Sequence, residues 1–541
     1  MLFRSGAAYD FQTGKDIGRY YVADNVGVSD NNTTNYKTQL NGRLQYETTI
    51  AQDHNIGTMF VYSEEYWHTR STGASRNDRI HPSTSEINSA LTNVQSNSGS
   101  SASEGLRSYI GRMNYSAYDK YLLEFSFRVD GSSKFIKGHQ YGFFPTVAVG
   151  WRFTEEEFLK KYLSSWLSSG KLRASWGKLG DNSGVGRFEQ LETLTAMNYM
   201  SSDVVKGFVN KKMINKDLSW EVSTDINVGL DLGFLNNRLR TEIDFYNRLR
   251  TGMNRPSQMS IHLTGAYSAP RANIGDLLNR GLELNLTWKD KIGNVEYSVN
   301  LNGAYNRTVL KEWNEFLSRG WVYLDMPYHF LYVYENNGIA QTWQDIYNNT
   351  PQGLSPGDVI RKDLNGDGII DGKDKKAYPN IQRDRPTTTY GITLQAAWKG
   401  FDISMLFNGG LGRKDFWLTD FNNTAFADRR YASTWDHWTE PWSLENRGGE
   451  WPRLGTSTDR SDNSYWLYNM NYLRMKNIML GYNLPKKLLS KISMTNLRIY
   501  ASAENLFTVT QYPGLDPEKK NSARDLYPIN RSFSIGLNVS F

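Results

Sequence analysis

One segment of the 541-residue chain carries oxygen-bearing side chains at a spacing that suits a divalent cation. Residues 363–374 read DLNGDGIIDGKD, and a tight loop of this pattern wraps one Ca²⁺ because hard cations prefer oxygen and the central glycine allows a sharp turn. The sequence therefore predicts a calcium loop. Its expected ligands are Asp363, Asn365, Asp367, the backbone carbonyl of Ile369, Asp371 and Asp374.

The last position of this predicted calcium loop departs from the EF-hand pattern. Asp374 stands where an EF-hand has a bidentate glutamate, and the flanking sequence predicts strand and loop instead of two helices. We therefore expect a structural Ca²⁺ ion that clips a long connection, and not a calcium sensor. The alternative is a solvated acidic turn that binds no metal.

Large aromatic rings are concentrated between residues 410 and 471. Aromatic faces can stack on sugar rings or anchor a partner protein, and they can equally form the core of the segment that carries them. We expect packing for most of these rings. Contact with substrate is a hypothesis for Trp435, Trp438 and Trp442.

Catalytic signatures do not accompany these segments. The seven histidines are scattered, neither H-E-x-x-H nor G-x-S-x-G occurs, and the glycine-rich stretch 177–186 lacks the following apolar helix of a phosphate site. Zero cysteines exclude disulfides and thiolate metal sites. The formal charge of +6 is spread along the chain and indicates no nucleic-acid surface. We predict that the chain is not an enzyme.

The elements that position these segments are predicted by a period-two alternation over about ten residues. Between Tyr121 and Asp130 one face is apolar and the other carries charged and polar side chains. Such a strand suits a wall between lipid and a polar lumen. Three further pairs of alternating segments, each joined by a short turn, indicate β-hairpins: 226–232 with 239–245, 282–288 with 295–301, and 390–398 with 401–407.

From Tyr36 onward the alternation predicts about fifteen strands, with short turns alternating with long connections such as 67–108 and 306–388. Short periplasmic turns and long extracellular loops are typical of outer-membrane barrels, whereas a soluble β-sandwich has no reason to keep every second connection short. We therefore predict an all-β protein, an antiparallel transmembrane β-barrel of the outer-membrane type. The aromatic content of 13%, with 33 Tyr and 16 Trp, suits its interfacial girdles. A mean hydropathy of −0.60 and the lack of an apolar run near ~20 residues exclude a helical membrane protein.

Two shorter segments carry predictions of their own. Residues 155–167 break the alternation and place Phe158, Tyr162 and Trp166 four apart, which predicts an amphipathic rim helix over a turn. The last strand alternates from Phe533 and ends on Phe541. A terminal aromatic resembles the signal read by the barrel-assembly machinery, and the alternative is an ordinary edge strand.

The residues after Met1 lack the basic start, apolar core and cleavage site of a secretory signal. A barrel of the outer membrane must be exported. We therefore interpret Met1 as a start within a longer parent sequence.

These segments together resemble the SusC/RagA family of TonB-dependent outer-membrane transporters. The resemblance is sharpest in GRMNYSAYDKYLLEFSFRVDGSSKF at 111–135. Further family-like stretches follow in family order at 40–57, 143–153, 171–182, 218–232, the aspartate loop near 363, 472–485 and 504–518.

The resemblance implies a plugged barrel of about 22 strands, of which residues 1–541 would supply 15 or 16, without the N-terminal plug domain and the first strands. It implies uptake of glycan or peptide fragments across the outer membrane. It also implies a SusD-like surface lipoprotein as partner and energy from TonB, contacted through the missing N-terminal part.

An unclosed sheet would expose unpaired backbone to hydrocarbon, so we expect that this chain alone is not a working transporter. Two alternatives stay open. One is a passive porin-like channel, closed by another piece or copy. The other is a secreted Ca²⁺-binding, carbohydrate-binding β-protein.

Overall fold

A single antiparallel sheet of 15 strands dominates the computed structural model, in which each strand pairs with its neighbours in sequence. This confirms the predicted all-β, antiparallel fold. The structure describes residues 5–10, 15–21, 27–77, 86–90, 95–160, 162, 166–200, 204–210, 212–264, 268–315, 323–328, 330–416, 440–453, 463–485, 489, 494–519 and 529–540.

The strands cross the sheet in chain order, and in the described structure the first and the last of them each pair on one side only. Their bounds are β1 Val28–Ile50, β2 His54–Arg76, β3 Gln95–Ala117, β4 Tyr121–Ser132, β5 Tyr141–Trp151, β6 Leu167–Asp181, β7 Glu221–Phe234, β8 Leu239–Thr251, β9 Asp276–Ile292, β10 Val295–Glu312, β11 Thr388–Trp398, β12 Phe401–Leu411, β13 Tyr472–Asn483, β14 Asn496–Thr510 and β15 Ser532–Ser540.

Five turns of two to four residues and two longer links, 152–166 and 484–495, join the strands at one end of the sheet, the turn end. The connections at the other end, the loop end, run from the eight residues of 133–140 to the 75 residues of 313–387. The short turns include 51–53 and 399–400, where residues with positive φ such as Gln52, Lys399 and Gly400 reverse the chain. The long connections carry small antiparallel pairs of their own: Leu194–Met200 with Val204–Asn210, Asn254–Pro256 with Arg271–Asn273, Phe330–Tyr334 with Lys375–Gln382, Asn336–Ile339 with Val359–Arg361, and Lys414–Phe416 with Leu467–Asn469. Near the start of the chain, Ser5–Asp10 pairs with Lys15–Tyr21.

Helices are few and short among the described residues: α-helices Glu157–Lys160, Ile261–Thr264 and Trp343–Tyr347, and 3₁₀ turns Ile87–Ser89, Phe153–Glu155, Gly372–Asp374 and Ser464–Trp466. None of these helices has the length and apolar character required to cross a membrane. The helix predicted over 155–167 is wrong at both ends: Glu155 closes a 3₁₀ turn, and the described α-helix begins only at Glu157. Leu167 instead begins β6 and pairs with Phe234, because the sheet takes up its backbone hydrogen bonds.

The strand registers separate apolar from polar side chains. Val228 of β7 lies opposite Phe245 of β8. Three residues further along β7, and therefore on the other face, Asp231 lies opposite Lys171 of β6. Since side chains alternate between the two faces of a strand, this register gives the sheet one apolar face and one polar face. A sheet of this kind suits the boundary between two different solvents.

Aromatic rings line the turn end of the sheet. Trp166 stacks on Phe234 with ring centroids 5.4 Å apart. The ring centroid of Phe401 lies 4.4 Å from that of Tyr482 and 6.4 Å from that of Trp398. Amphipathic rings collect where hydrocarbon meets water, and the interfacial girdle at this level stays a prediction.

The first three strands extend far beyond the predicted wall. β1, β2 and β3 have 23 residues each, about twice the ~9–11 needed to cross a membrane. The prediction of strands only from Tyr36 onward, with one long connection over 67–108, was wrong here. These extensions are rich in Ser, Thr, Asn and Gly and show no apolar alternation, and Asn and Gly are depleted in strands. Their uninterrupted cross-strand pairing decides their structure.

A substitution on either face of β9 tests this assignment. Leu284 lies on the apolar face and its neighbour Asn285 on the polar face, where Asn285 donates to Glu242 at 3.2 Å. We expect Leu284→Arg to lower the free energy of unfolding by about 2–4 kcal/mol, because a charge enters hydrocarbon. Asn285→Arg is the matched control and should cost under about 1 kcal/mol. Denaturant unfolding of protein extracted from outer membranes measures both, and equal losses would contradict the assignment.

Candidate functional site at the loop end

Two long connections, 313–387 and 412–471, pack on each other at the loop end. Their buried core consists of Leu331, Val333, Phe416 and Trp466. Burial of this apolar surface is what holds the two connections together, because the small strand pairs alone offer few hydrogen bonds. We call this assembly the loop module; its described parts are 330–382, 413–416, 440–453 and 463–470.

The predicted calcium loop lies within the loop module, and its first aspartate organises the turn. Asp363 accepts hydrogen bonds from the N–H groups of Gly366 at 2.6 Å and Gly368 at 2.9 Å. Burial raises the pKa of Asp363, but the hydrogen bonds from Gly368 and Gly366 outweigh it and leave this pKa below its usual value. Asp363 is therefore an anionic oxygen donor at neutral pH.

Asp374 closes the same loop from its other end. Its carboxylate is fully buried and accepts from the N–H groups of Leu364 at 2.9 Å and Asp371 at 2.8 Å. Asp371 in turn caps the 3₁₀ turn Gly372–Asp374 through the N–H of Lys373. Both ends of the twelve-residue loop are thus held by carboxylates on backbone donors.

A lysine lies against the remaining carboxylates of the loop. Nζ of Lys373 is 3.8 Å from Oδ2 of Asp367 and 3.8 Å from Oδ2 of Asp371, and Asn365 donates to Asp367 at 2.8 Å. Among the residues that the structure describes, no three or more acidic or histidine side chains come together as a metal-binding group. The six predicted ligands lie in one loop that backbone hydrogen bonds to Asp363 and Asp374 close. Calcium binding there stays a prediction.

Trp442 is the one predicted substrate contact that falls within the described residues, since Trp435 and Trp438 lie outside them. Its ring is 6% exposed, and its indole N–H donates to Oε1 of Gln341 at 2.8 Å. The ring packs so closely on Gly357 that a Cβ there would clash. Trp442 therefore packs inside the loops, which was the alternative to substrate contact, because a covered ring has no free face for a sugar.

The predicted assembly signal, Phe541, also lies outside the described residues, as β15 ends at Ser540. Phe533, Ile535 and Leu537 alternate along β15 on one exposed face. This is the alternation that the sequence predicted for the last strand.

A buried charge network joins the last long connection to β13, and the sequence motifs did not predict it. Arg474 is 3% exposed and donates to Asp516 at 2.7 Å and to Glu518 at 2.8 Å. Lys476 donates to the same oxygen of Glu518 at 2.9 Å. Burial raises the pKa of Glu518, but the hydrogen bonds from Lys476 and Asn408 hold it below its usual value.

A second buried arginine holds the same segment from the neighbouring connection. Arg413 donates to the backbone carbonyls of Pro517, Glu518 and Lys519 at 3.1–3.2 Å, with Asp415 as counter-ion at 3.7 Å. The only sequence signal for this network was the family-like stretch GLDPE at 514–518. Its arginine partners are 42 and 104 residues away, so spacing could not indicate them.

The polar face of the sheet carries ion pairs that bridge three strands. Arg173 of β6 donates to both carboxylate oxygens of Asp231 on β7, at 2.7 and 2.9 Å, and to Asp244 on β8 at 2.9 Å. These partners satisfy one another's charge. Such paired charges make this part of the polar face hydrophilic.

A family model described as "TonB dependent receptor-like, beta-barrel" matches residues 2–506. The chain belongs to this family of TonB-dependent receptor β-barrels. Family membership accounts for the alternation of short turns with long connections and for the two unlike faces of the sheet.

Individual TonB-dependent receptors agree with the family match. TonB-dependent receptor P3 of Formosa agariphila is 30% identical over 476 residues, which cover 81% of this chain and 45% of the relative. TonB-dependent receptor SusC of Bacteroides thetaiotaomicron is 30% identical over 456 residues, covering 81% of this chain and 44% of SusC. The chain thus spans about half the length of the curated relatives it matches.

A solved structure of the RagAB peptide transporter shares the fold, with a TM-score of 0.81 and 22% identity over 95% of this chain and 56% of that chain. The resemblance to the SusC/RagA family that the sequence predicted is confirmed by these matches.

Replacing Arg474 tests the charge network of this TonB-dependent receptor barrel. We expect Arg474→Met to destabilise the segment 511–519 by about 3 kcal/mol or more, because buried Asp516 loses its arginine partner and half-buried Glu518 loses one of its cations. Lys476→Met is the matched control. It should cost about 1 kcal/mol or less, since Lys476 is more exposed and Glu518 keeps Arg474. Hydrogen exchange of the segment's amides measures both losses, and equal exchange in the two variants would contradict the network's role.

Proposed function

We propose that this chain forms the barrel wall of a transporter that takes up nutrients across the outer membrane with energy from TonB. The observation that carries the proposal is the 15-stranded antiparallel sheet with one apolar and one polar face, in a chain of the TonB-dependent receptor family. The paired charges around Arg173 support a hydrophilic passage along the polar face. The family's typical place, the outer membrane, supports the proposed location.

We infer that the loop end meets a SusD-like surface lipoprotein and that the cargo is a glycan or peptide fragment. The relatives support this inference, since one is TonB-dependent receptor SusC and a matching structure is that of the RagAB peptide transporter. Insertion by the barrel-assembly machinery is part of the same proposal. The matched relatives are receptors and transporters, which supports a role without covalent chemistry.

We propose further that the loop 363–374 binds one structural Ca²⁺ ion through the six ligands predicted from its sequence. The hydrogen bonds that Asp363 and Asp374 accept from backbone N–H groups of the loop support a loop that is already closed without the ion. Binding requires the carboxylates of Asp367 and Asp371 to exchange the ammonium of Lys373 for the metal. The ion would then stiffen the loop module from within.

Energy dependence separates active uptake from a passive channel. Deleting the gene from its source bacterium should remove uptake of either a labelled peptide mixture or a labelled oligosaccharide mixture, and the intact gene should restore it. Collapsing the proton-motive force should then stop the restored uptake, because TonB draws on that force. A small sugar that enters through porins serves as control. Uptake that persists without the proton-motive force would favour the passive channel.

Calcium binding is tested in the same protein by titration calorimetry. We expect a dissociation constant of about 10⁻⁴–10⁻³ M, as in other extracellular calcium modules, and a loss of binding in Asp363→Asn and Asp374→Asn. Lys373→Gln should bind several-fold more tightly because a competing cation is removed. Asp325→Ala changes an exposed aspartate outside the loop and is the control. Unchanged affinity in Asp363→Asn, or no binding at 5 mM (about five times the weakest expected constant), would contradict the proposal.

A further inference from the structure

Two arginines face each other on neighbouring strands of the sheet. Arg280 of β9 lies directly opposite Arg307 of β10. The Cβ atoms of directly opposed residues are about 5 Å apart, and like charges in such positions destabilise a strand pair. Folding alone therefore gives no reason to place two guanidinium groups here.

Both arginines belong to the apolar face. Arg280 follows the alternation of Leu282 and Leu284, and Arg307 follows that of Tyr305 and Leu301. The pairing of β9 with β10 is regular over this whole stretch, and its only irregularity lies beyond it, between Asp276 and Leu277. The face of each arginine is therefore decided by the register.

The arginines lie at the loop-end border of the apolar band. Trp288, at the turn end of β9, hydrogen-bonds Tyr297 of β10 at 3.2 Å. The eight residue steps from 280 to 288 span about 26 Å of strand at ~3.3 Å per step. With a strand tilt of about 35–45°, this is roughly 20 Å of membrane thickness, near the ~25 Å height of an outer-membrane apolar band. Arg280 and Arg307 thus reach the level of the outer-leaflet headgroups.

Neither arginine has an acidic partner among the described residues. Arg280 donates from Nε to Asn247 at 2.7 Å. Nε of Arg307 is buried and has no hydrogen-bond partner. The residues that share this face, from Leu278 to Trp288 and from Val299 to Val309, include no aspartate or glutamate. The pair therefore carries two uncompensated positive charges.

We propose that Arg280 and Arg307 together bind the phosphate of a lipid headgroup in the outer leaflet. The inference rests on the proposed function, which puts the apolar face in the membrane. A phosphate supplies the negative charge that relieves the repulsion, and its oxygens match the planar donor fork of each guanidinium. Asn247 is a positioning residue that holds Arg280, while half-exposed Tyr305 and Leu282 offer apolar contact to the acyl chain.

The test measures lipid binding by protein extracted from the outer membrane and placed in phosphatidylcholine nanodiscs with graded amounts of diphosphoryl lipid A. We expect Arg280→Gln with Arg307→Gln to weaken retention of lipid A by about thirtyfold, from the usual contribution of two basic residues near an anionic surface. The matched control is Arg240→Gln with Lys289→Gln, which removes two exposed charges from the polar face of β8 and β9. It should retain lipid A as the unchanged protein does.

Three results would overturn the proposal. The first is equal retention of lipid A by the Arg280/Arg307 variant and the unchanged protein, both folded by heat-modifiable gel mobility. The second is an equal loss in the control, which would indicate unspecific attraction. The third is binding of inorganic phosphate as tight as that of lipid A, which would assign the site to a free anion. Absence of the unchanged protein from outer-membrane fractions is measured first and would refute the proposed function separately.

Discussion

Backbone N–H and C=O groups cannot stay unpaired in hydrocarbon, and the architecture of this chain follows from that constraint. Each of the strands from β2 to β14 gives its backbone groups to two neighbours, so the sheet grows by adding strands in chain order. At the turn end, turns of two to four residues suffice for five of the seven links. The side chains then determine the character of each face. Val228 and Phe245 lie on the apolar face, and Arg173 and Asp231 form an ion pair on the polar face.

At the loop end water replaces hydrocarbon, and other forces hold the chain. The loop module depends on a small apolar core around Trp466 and on buried arginines that gather carbonyls and carboxylates. Arg413 and Arg474 act on the same segment from two different connections. Removal of one charge leaves its partner buried and unpaired, which is costly, but burying the whole network also costs desolvation free energy. We therefore expect such a network to orient the segment more than it stabilises the fold.

In the arrangement that we propose, the pair of Arg280 and Arg307, which face each other across β9 and β10, lies at the level where these two environments meet. Their charges are tolerable there because headgroup phosphates and water are within reach, whereas one alternating position lower Leu282 meets acyl chains. The loop 363–374 has the opposite sign, with carboxylates that require backbone donors, Lys373 or a cation. Both features place like charges close together, and in both an ion of opposite charge would relieve the repulsion.

The amino-acid sequence by itself determined the strands with clear alternation, the hairpins, the alternation of short and long connections, the loop at 363–374 and the family. These are local properties, because period two and glycine spacing are written within ten or twelve residues. Tertiary structure alone decided the Ser- and Asn-rich extensions of β1 to β3, the burial of Trp442, the partners of Arg474 and the opposition of Arg280 to Arg307. Each depends on contacts between separate strands or connections, and cross-strand register and packing are not encoded in local periodicity.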